Sequence, residues 1–536
     1  MAWETKVQEA LSLRDATLQQ VDPPLAAIPD ILPLNSQDLP AQFLTAREYE
    51  LTQSYDAVQL VQMLRSKQVT SLELTKAFLR RAALAQYALN CITELMWDEA
   101  CERASYLDSL SEPLGPLHGL PISVKEQHGM KGKTQHGSWV AWVGKDSEPN
   151  NVMNEILYGA GCVFYARTTC PQTVMHLETE NNIYGRTVNP WNRNLTSGGS
   201  SGGEGALVGF RGSVLGVGGD IGGSVRVPAA NCGVYGFKPT VGRLSTKGMT
   251  GPTAGRDSIL ATPGPIAQSR EAIHLFMQTI LDGEPWRMDP SLVNKPWTRQ
   301  KLDGPLKVAI EWHDGVVKPH PPVIRAMQEV AQACRDAGME VVDWDPLDHE
   351  KGWDITSALY YPDGGASTKS LLASEGEPAL PLTDFIIDEQ PTVKPLTMHE
   401  YWKLCVEREQ YRSDYAAHWN KTAHSGNGKE VDAIICPTTP GAAPLHGTSR
   451  YWPYTSQWNL LDYPTAVFPV TFVDPELDKV EEGFVPMSEK DKYNHMLYSP
   501  EAFVGAPISL SIVGRRHMDE KVMAVLERVE RAMGRE

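Results

Sequence analysis

The sequence predicts an α/β protein, a β-sheet covered by helices on both faces, and three observations lead there. Short apolar runs that suit buried strands alternate with segments of helical period along most of the chain. A strand–helix–strand unit occurs in the second half, as parallel sheets require. With 536 residues, core size is not limiting, and one large α/β unit is as compatible with this length as three average domains.

The elements follow in chain order. Residues 1–50 combine a polar helical segment with a tail containing Pro23, Pro24, Pro29, Pro33 and Pro40, so they read as a helical arm on the body. From 54 to 104, apolar positions such as Val58, Val61 and Leu64 recur at helical spacing, and Thr70 with Glu73 makes a capping-box start, giving two or three helices. Residues 120–124 and 162–166 suit buried strands, the second preceded by a helix near 151–158. Residues 306–310, 322–337 and 339–344 form the strand–helix–strand unit. The runs 431–436, 465–473 and 508–513 read as later strands, and 519–533 as a closing helix. The stretch 346–397 is polar and loop-rich. The expected organisation is thus an arm over 1–50 and a single domain over 51–533, with a variable, lid-like region at about 346–430.

Charge and cysteine usage narrow the function. With 49 basic and 66 acidic residues the formal charge is −17, which opposes binding to polyanions and excludes nucleic acid as the main partner. The eight cysteines show no CxxC spacing and read as buried thiols, not as a disulfide frame or a zinc site. The first twenty residues lack an apolar signal region, and no run of about 18 apolar residues occurs. The expectation is a cytoplasmic protein without a membrane span.

The chemistry concentrates at 198–238, GGSSGGEGALVGFRGSVLGVGGDIGGSVRVPAANCGVYGFK, where twelve glycines fall within 198–223 around Ser200, Ser201 and Ser224. Glycine is conformationally costly, so such density points to backbone approaching a ligand or turning through positive φ. A serine in that setting can act as a nucleophile facing backbone N–H donors. It still needs a base, and a neutral lysine is one solution. Lys125, in PISVKEQ, follows the apolar Leu120, Pro121, Ile122 and Val124, a dry strand end that would lower its pKa. Glu126 would hold the ammonium charged, but on a strand it points to the opposite face. Taken alone, a lysine at a strand end is more often a solvated surface residue, by roughly ten to one.

GGSSGGEGAL followed by GxGGDIGGSVRxPAAxCGVYGFKPT resembles the signature of the amidase signature family, and PISVKEQ resembles that family's lysine segment. The intervals, 75 residues from Lys125 to Ser200 and 24 from Ser200 to Ser224, fit it as well. The likeness extends through TENNIYGRTVNPW, HPPVIRAM, DAIICPTTP and GAPISLSIVGRR, and within the family the chain is most similar to acetamidase-like general amidases of fungal type. The resemblance implies a large mixed, twisted sheet and a Ser–Ser–Lys triad: Ser224 as nucleophile, Ser200 as the bridging serine on a cis peptide after Gly199, and Lys125 as base. It further implies hydrolysis of a carboxylic amide through an acyl-enzyme on Ser224, with no cofactor.

Around that triad, the N–H groups of Ile221, Gly222, Gly223 and Ser224 can converge on one oxygen because the side chains are small. Asp220 is expected to anchor the turn, Arg226 to brace the loop, and Ser201 to support the site from a helix start. Met175, Ser200 and Ile221 are the expected substrate contacts. Tyr360, Tyr361, the 451–454 stretch and Trp458 fit an acyl pocket and ordinary core equally well. One departure is Gly219, where many relatives carry Thr.

Other readings are weaker. GSSGG satisfies the G-x-S-x-G elbow at Ser201, but NPWNRNLTSGG before it is polar and loop-like. GVGGDIG lacks dinucleotide spacing, and HGMKGKT lacks the first glycine of a phosphate loop because position 127 is Gln. His176, Glu178 and Glu180 are too closely spaced for a recognised zinc motif, so no metal is expected. The expected partner is a small-molecule amide, with a homodimer left open. Functional alternatives are a glutaminase-type subunit of an amidotransferase complex, an esterase or lipid-amide hydrolase of the same fold, and a catalytically silent scaffold.

Overall fold

The structure is a computed structural model describing residues 2–251, 255–424 and 426–535. Thirteen strands occur in chain order among them: β1 (Ile92–Leu95), β2 (Pro121–Lys125), β3 (Val163–Thr168), β4 (Glu180–Asn181), β5 (Gly185–Arg186), β6 (Leu215–Asp220), β7 (Tyr235–Lys238), β8 (Thr262–Ala267), β9 (Lys307–Ile310), β10 (Glu340–Asp343), β11 (Ala433–Pro437), β12 (Thr465–Phe472) and β13 (Pro507–Val513). β4 and β5 make a small separate hairpin; the other eleven form one sheet in the order β1-β3-β2-β6-β8-β7-β12-β13-β11-β9-β10. β3, β2 and β6 run parallel, as do β11, β9 and β10, while every pairing between these two groups is antiparallel. The sheet is therefore mixed. All residues of β2, β3, β6, β8, β11 and β13 are buried. Successive side chains of a strand point to opposite faces, so full burial means cover on both.

The elements named from apolar periodicity fall within about two residues of their positions: the helix expected at 322–337 is Pro321–Asp336, and the unit it belongs to closes with β9 and β10 in parallel register. Thr70 Oγ1 accepts from Glu73 N at 3.1 Å, which starts the helix Ser71–Leu89. Region 54–104 contains three helices and also β1, which the helical period concealed. Residues 346–430, read in part as loop, hold the helices His349–Tyr360, Ala366–Ala373, Pro381–Ile387 and Met398–Lys421. At the N-terminus, the helix Ala2–Leu18 packs Val7 and Ala10 against Val140, Val143, Ile183 and Tyr184.

The glycine-rich run holds more regular structure than the helix start expected at Ser201. It forms the helix Gly202–Gly209, strand β6 and the helix Arg226–Cys232. Glycine is unfavourable in helices and strands alike, so packing must compensate. A Cβ at Gly205 would lie 2.7 Å from Pro228 Cβ, so the two helices approach more closely than any side chain would permit. At Gly216 it would lie 1.8 Å from Glu204 Oε2, inside that carboxyl group.

Candidate active site

Because β2 and β6 are parallel neighbours, their carboxyl ends lie at one edge of the sheet, which places Lys125 there, level with Gly218, two residues before Asp220. Crevices of this kind, outside the carboxyl ends of strands, are where α/β sheets bind ligands. The helix Gly202–Gly209 presents its N-terminus to the same edge, with Ser200 and Ser201 just before it. Chain topology thus gathers all three segments.

Lys125 is fully buried, and its Nζ lies 2.7 Å from Ser200 Oγ. Burial pushes the amine down to about 8, against the opposing pull of Cys170, Asp220, Glu204 and Glu126. No ion pair holds it charged among the described residues. Glu126, as expected, faces elsewhere: its carboxylate accepts from the N–H groups of His136 and Gly137 at 2.7 and 2.6 Å. Gly199 and Ser200 are joined by a cis peptide bond. A Cβ at Gly199 would come within 2.3 Å of Glu178 O and 2.5 Å of His176 O, so only glycine fits.

Ser200 and Ser224 line one cavity of about 270 Å³, together with Met175, Gly219, Ile221, Met249 and Arg256. Ser224 Oγ has no hydrogen-bond partner among the described residues. Its carbonyl accepts from Ser201 N at 3.0 Å, and Ser201 Oγ sits 3.3 Å from both N and O of Gly219. Ser201 therefore joins the Ser224 segment to β6 and makes no side-chain cap of its own helix. A side chain at Gly219 would point to Met249, whose Cε lies 2.9 Å from a Cβ placed there.

Asp220 organises the turn. Its carboxylate accepts from the N–H groups of Gly223 (2.9 Å) and Val225 (3.1 Å), from Asn459 Nδ2 (3.0 Å) and from the Arg226 guanidinium (2.9 and 3.0 Å). Burial alone would raise this acid, but Arg226 beside it holds the carboxyl well below the usual range. The Gly223 N–H is thereby committed to Asp220, which corrects its expected place among the oxyanion donors. Ile221, Gly222 and Ser224 retain N–H groups with no partner among the described residues. Gly223 has φ of 130° and a notional Cβ 2.4 Å from Thr455 Oγ1, so its glycine serves the turn.

Two carbonyls of this turn are tied back from the far side. Tyr360 Oη donates to Ile221 O and Thr455 Oγ1 to Gly222 O, each at 2.6 Å. With Met175 and Tyr361 lining the cavity and Tyr360, Trp452, Tyr454 and Trp458 buried in core, the aromatic residues divide between the two roles considered for them.

Arg226 and Asp220 are both fully buried, with the guanidinium also donating to Thr455 O and Asn459 Oδ1 at 2.8 and 2.6 Å. Arg226→Met should destabilise the fold by about 3–5 kcal/mol, since it strands a buried carboxylate without a counter-charge; urea denaturation monitored by tryptophan fluorescence measures it.

Two buried residues not singled out from the sequence also lie close to Lys125. Glu204 is buried under the lysine: it accepts from Ser123 Oγ (2.6 Å) and Thr168 Oγ1 (2.7 Å), and these flank Lys125 on its own strand and on β3. Burial pushes this carboxyl up to about 7. A single acid inside the apolar glycine run GGEGALVG was the available signal. His128, next to the lysine, is neutral, since burial pushes it down to about 3; its Nε2 donates to Gly218 O and its Nδ1 accepts from Asn151. Both ring nitrogens are occupied, so it offers no base.

The residues preceding Ser201 are not a strand, contrary to the elbow reading. His176 bonds Thr383, Glu178 accepts from Gly447 and Ser449 N–H groups, and Glu180 pairs with Arg186. No group of three or more His, Cys, Asp or Glu among the described residues could hold a metal ion. None of the described helices is long and apolar enough to cross a membrane.

A mixed sheet with a glycine-framed pocket at its carboxyl edge is the architecture of amidase-signature hydrolases. A family model described as Amidase matches residues 73–523. The Acetamidase of Emericella nidulans is 41% identical over 503 residues, covering 92% of this chain and 91% of its own. The Acetamidase of Aspergillus oryzae is 37% identical over 511 residues, covering 93% of each. Among solved structures, a fatty acid amide hydrolase matches with a TM-score of 0.93 at 34% identity, covering 99% of this chain and 95% of that one. The chain belongs to the amidase family of amide hydrolases.

Proposed function

We propose that this protein hydrolyses a linear carboxylic amide to the acid and ammonia or an amine, through an acyl-enzyme on Ser224. The observation that carries this is the buried, pKa-depressed Lys125 within 2.7 Å of Ser200, which shares its cavity with Ser224. Ser224 attacks the carbonyl carbon while Ser200 takes its proton and passes its own to Lys125. The proton then returns through Ser200 to the leaving amine. Water regenerates Ser224 by the same relay. The N–H groups of Ile221, Gly222 and Ser224 receive the oxyanion, each typically contributing about 10²–10³ in rate. Catalytic hydrogen bonds often tighten only with substrate bound, which accounts for the unpartnered Ser224 hydroxyl.

Since the base works only when uncharged, kcat/KM should rise about tenfold between pH 7 and 9 as an amine near 8 loses its proton, then level off. A profile flat over that range would remove Lys125 as base. Substrate class is tested by primary amides, anilides, esters and long-chain amides, with products read by mass spectrometry. Turnover of none of them by the purified chain would overturn the reading and favour a subunit that acts only in a complex. A lipid-amide substrate is the second reading, favoured by the fatty acid amide hydrolase likeness and by Val174, Met175, Ile259 and Leu260 in the cavity wall. The fold over 51–533 acts as one catalytic unit, with the helices of 346–430 as a cover over the cavity and 1–50 as an arm. Eight unpaired cysteines support a cytoplasmic location.

A further inference from the structure

The cavity carries a cation that the amide chemistry does not use. Arg256 lines it together with Ser200 and Ser224. One guanidinium nitrogen, Nη1, donates to Tyr360 O; its Nε is shut off from water and has no partner. No carboxylate pairs with it among the described residues. The two acids that could serve it are engaged elsewhere, Asp257, next to it in sequence, by Tyr401 Oη, and Asp363, whose charge reaches it through space, by the N–H groups of Gly365 and Ser367. The other charged group in the wall, Asp220, is neutralised by Arg226. The electrostatic field inside the cavity is therefore positive at the Arg256 end. Arg256 is half-buried, and the wall gives it the Tyr360 carbonyl and the Tyr360 ring, whose centroid lies 5.8 Å from the guanidinium carbon. Neither is an anion, and within this wall the occupant of the cavity is the group that can supply one.

We propose that Arg256 forms a carboxylate subsite, so that the substrates are amides bearing a carboxylate across an apolar spacer from the scissile bond. Val174, Met175, Ile221 and Met249 supply the apolar wall such a spacer needs. The carboxylate can sit on the acyl part, as in the half-amide of a dicarboxylic acid, or on the amine part, as in an N-acyl amino acid. The inference rests on the amidase reading and names its substrate class.

Matched pairs test it. On the acyl side, adipic acid monoamide is compared with hexanamide; on the amine side, N-butanoylglycine with N-propylbutanamide. The wild-type protein should prefer the charged member of at least one pair by about tenfold or more in kcat/KM, chiefly through KM. The pair that shows the preference identifies the side. In Arg256→Gln that preference should fall below about twofold, and in Arg256→Lys part of it should survive. A wild-type preference for the neutral members, or one that Arg256→Gln leaves intact, overturns the subsite while the amidase reading stands. Should no amide be turned over, that reading fails, and calorimetric binding of adipate still decides the subsite: affinity at least tenfold weaker in Arg256→Gln supports it, and equal or absent binding overturns it.

Discussion

Ser224→Ala is expected to lower amide turnover by about 10⁴–10⁶-fold while leaving the protein folded. The hydroxyl has no partner among the described residues, so its removal strands no buried group. Backbone contacts of the turn, from Ser224 O to Ser201 N and from Asp220 to its neighbours, remain in the alanine variant. Loss of rate with an unchanged melting temperature is thus the signature of a nucleophile. A fluorophosphonate should label the wild-type protein at Ser224 and leave the variant unlabelled. Near-normal turnover by Ser224→Ala would exclude the acyl-enzyme route.

Lys125→Ala should cost about 10²–10⁴-fold, the usual contribution of a positioned base. The pH profile distinguishes this loss from a general disturbance of the pocket. If Lys125 is the base, wild-type activity should rise as the amine deprotonates and then level off, with the base saturated in its neutral form. In the variant, hydroxide must replace the amine, so residual activity should keep rising through pH 9 and beyond. Stability moves for a separate reason: Lys125 fills a fully enclosed position, so alanine leaves a cavity there. Lys125→Met, which fills that space without an amine, controls for it. A Met variant as active as the wild type would show that the position serves packing alone.

Much of this was visible in the chain itself. Strands such as β12 and β13 stand out as apolar runs bounded by polar residues, and the spacing of Lys125, Ser200 and Ser224 is distinctive enough to carry a family resemblance. The interior of the glycine run was illegible for a physical reason. Glycine prefers neither helix nor strand, so Gly202–Gly209 and β6 exist only because neighbours press against them, Pro228 on Gly205 and Glu204 on Gly216. Long-range polar contacts were equally hidden. Tyr360 reaches Ile221 across 139 residues, and no local pattern relates the two. The diversion of the Gly223 N–H to Asp220 depends on turn geometry that side-chain identity does not convey.

The enclosure of Lys125 has one more effect. An uncharged primary amine is itself a competent attacker of carbonyls, and an acyl group landing on it would produce a stable amide that ends the enzyme's working life. No surface of Lys125 is open to solvent, and Ser200 stands between it and any molecule in the pocket. In the proposed relay, the wall that keeps the amine uncharged also quarantines it, so that protons would reach it and acyl groups would not.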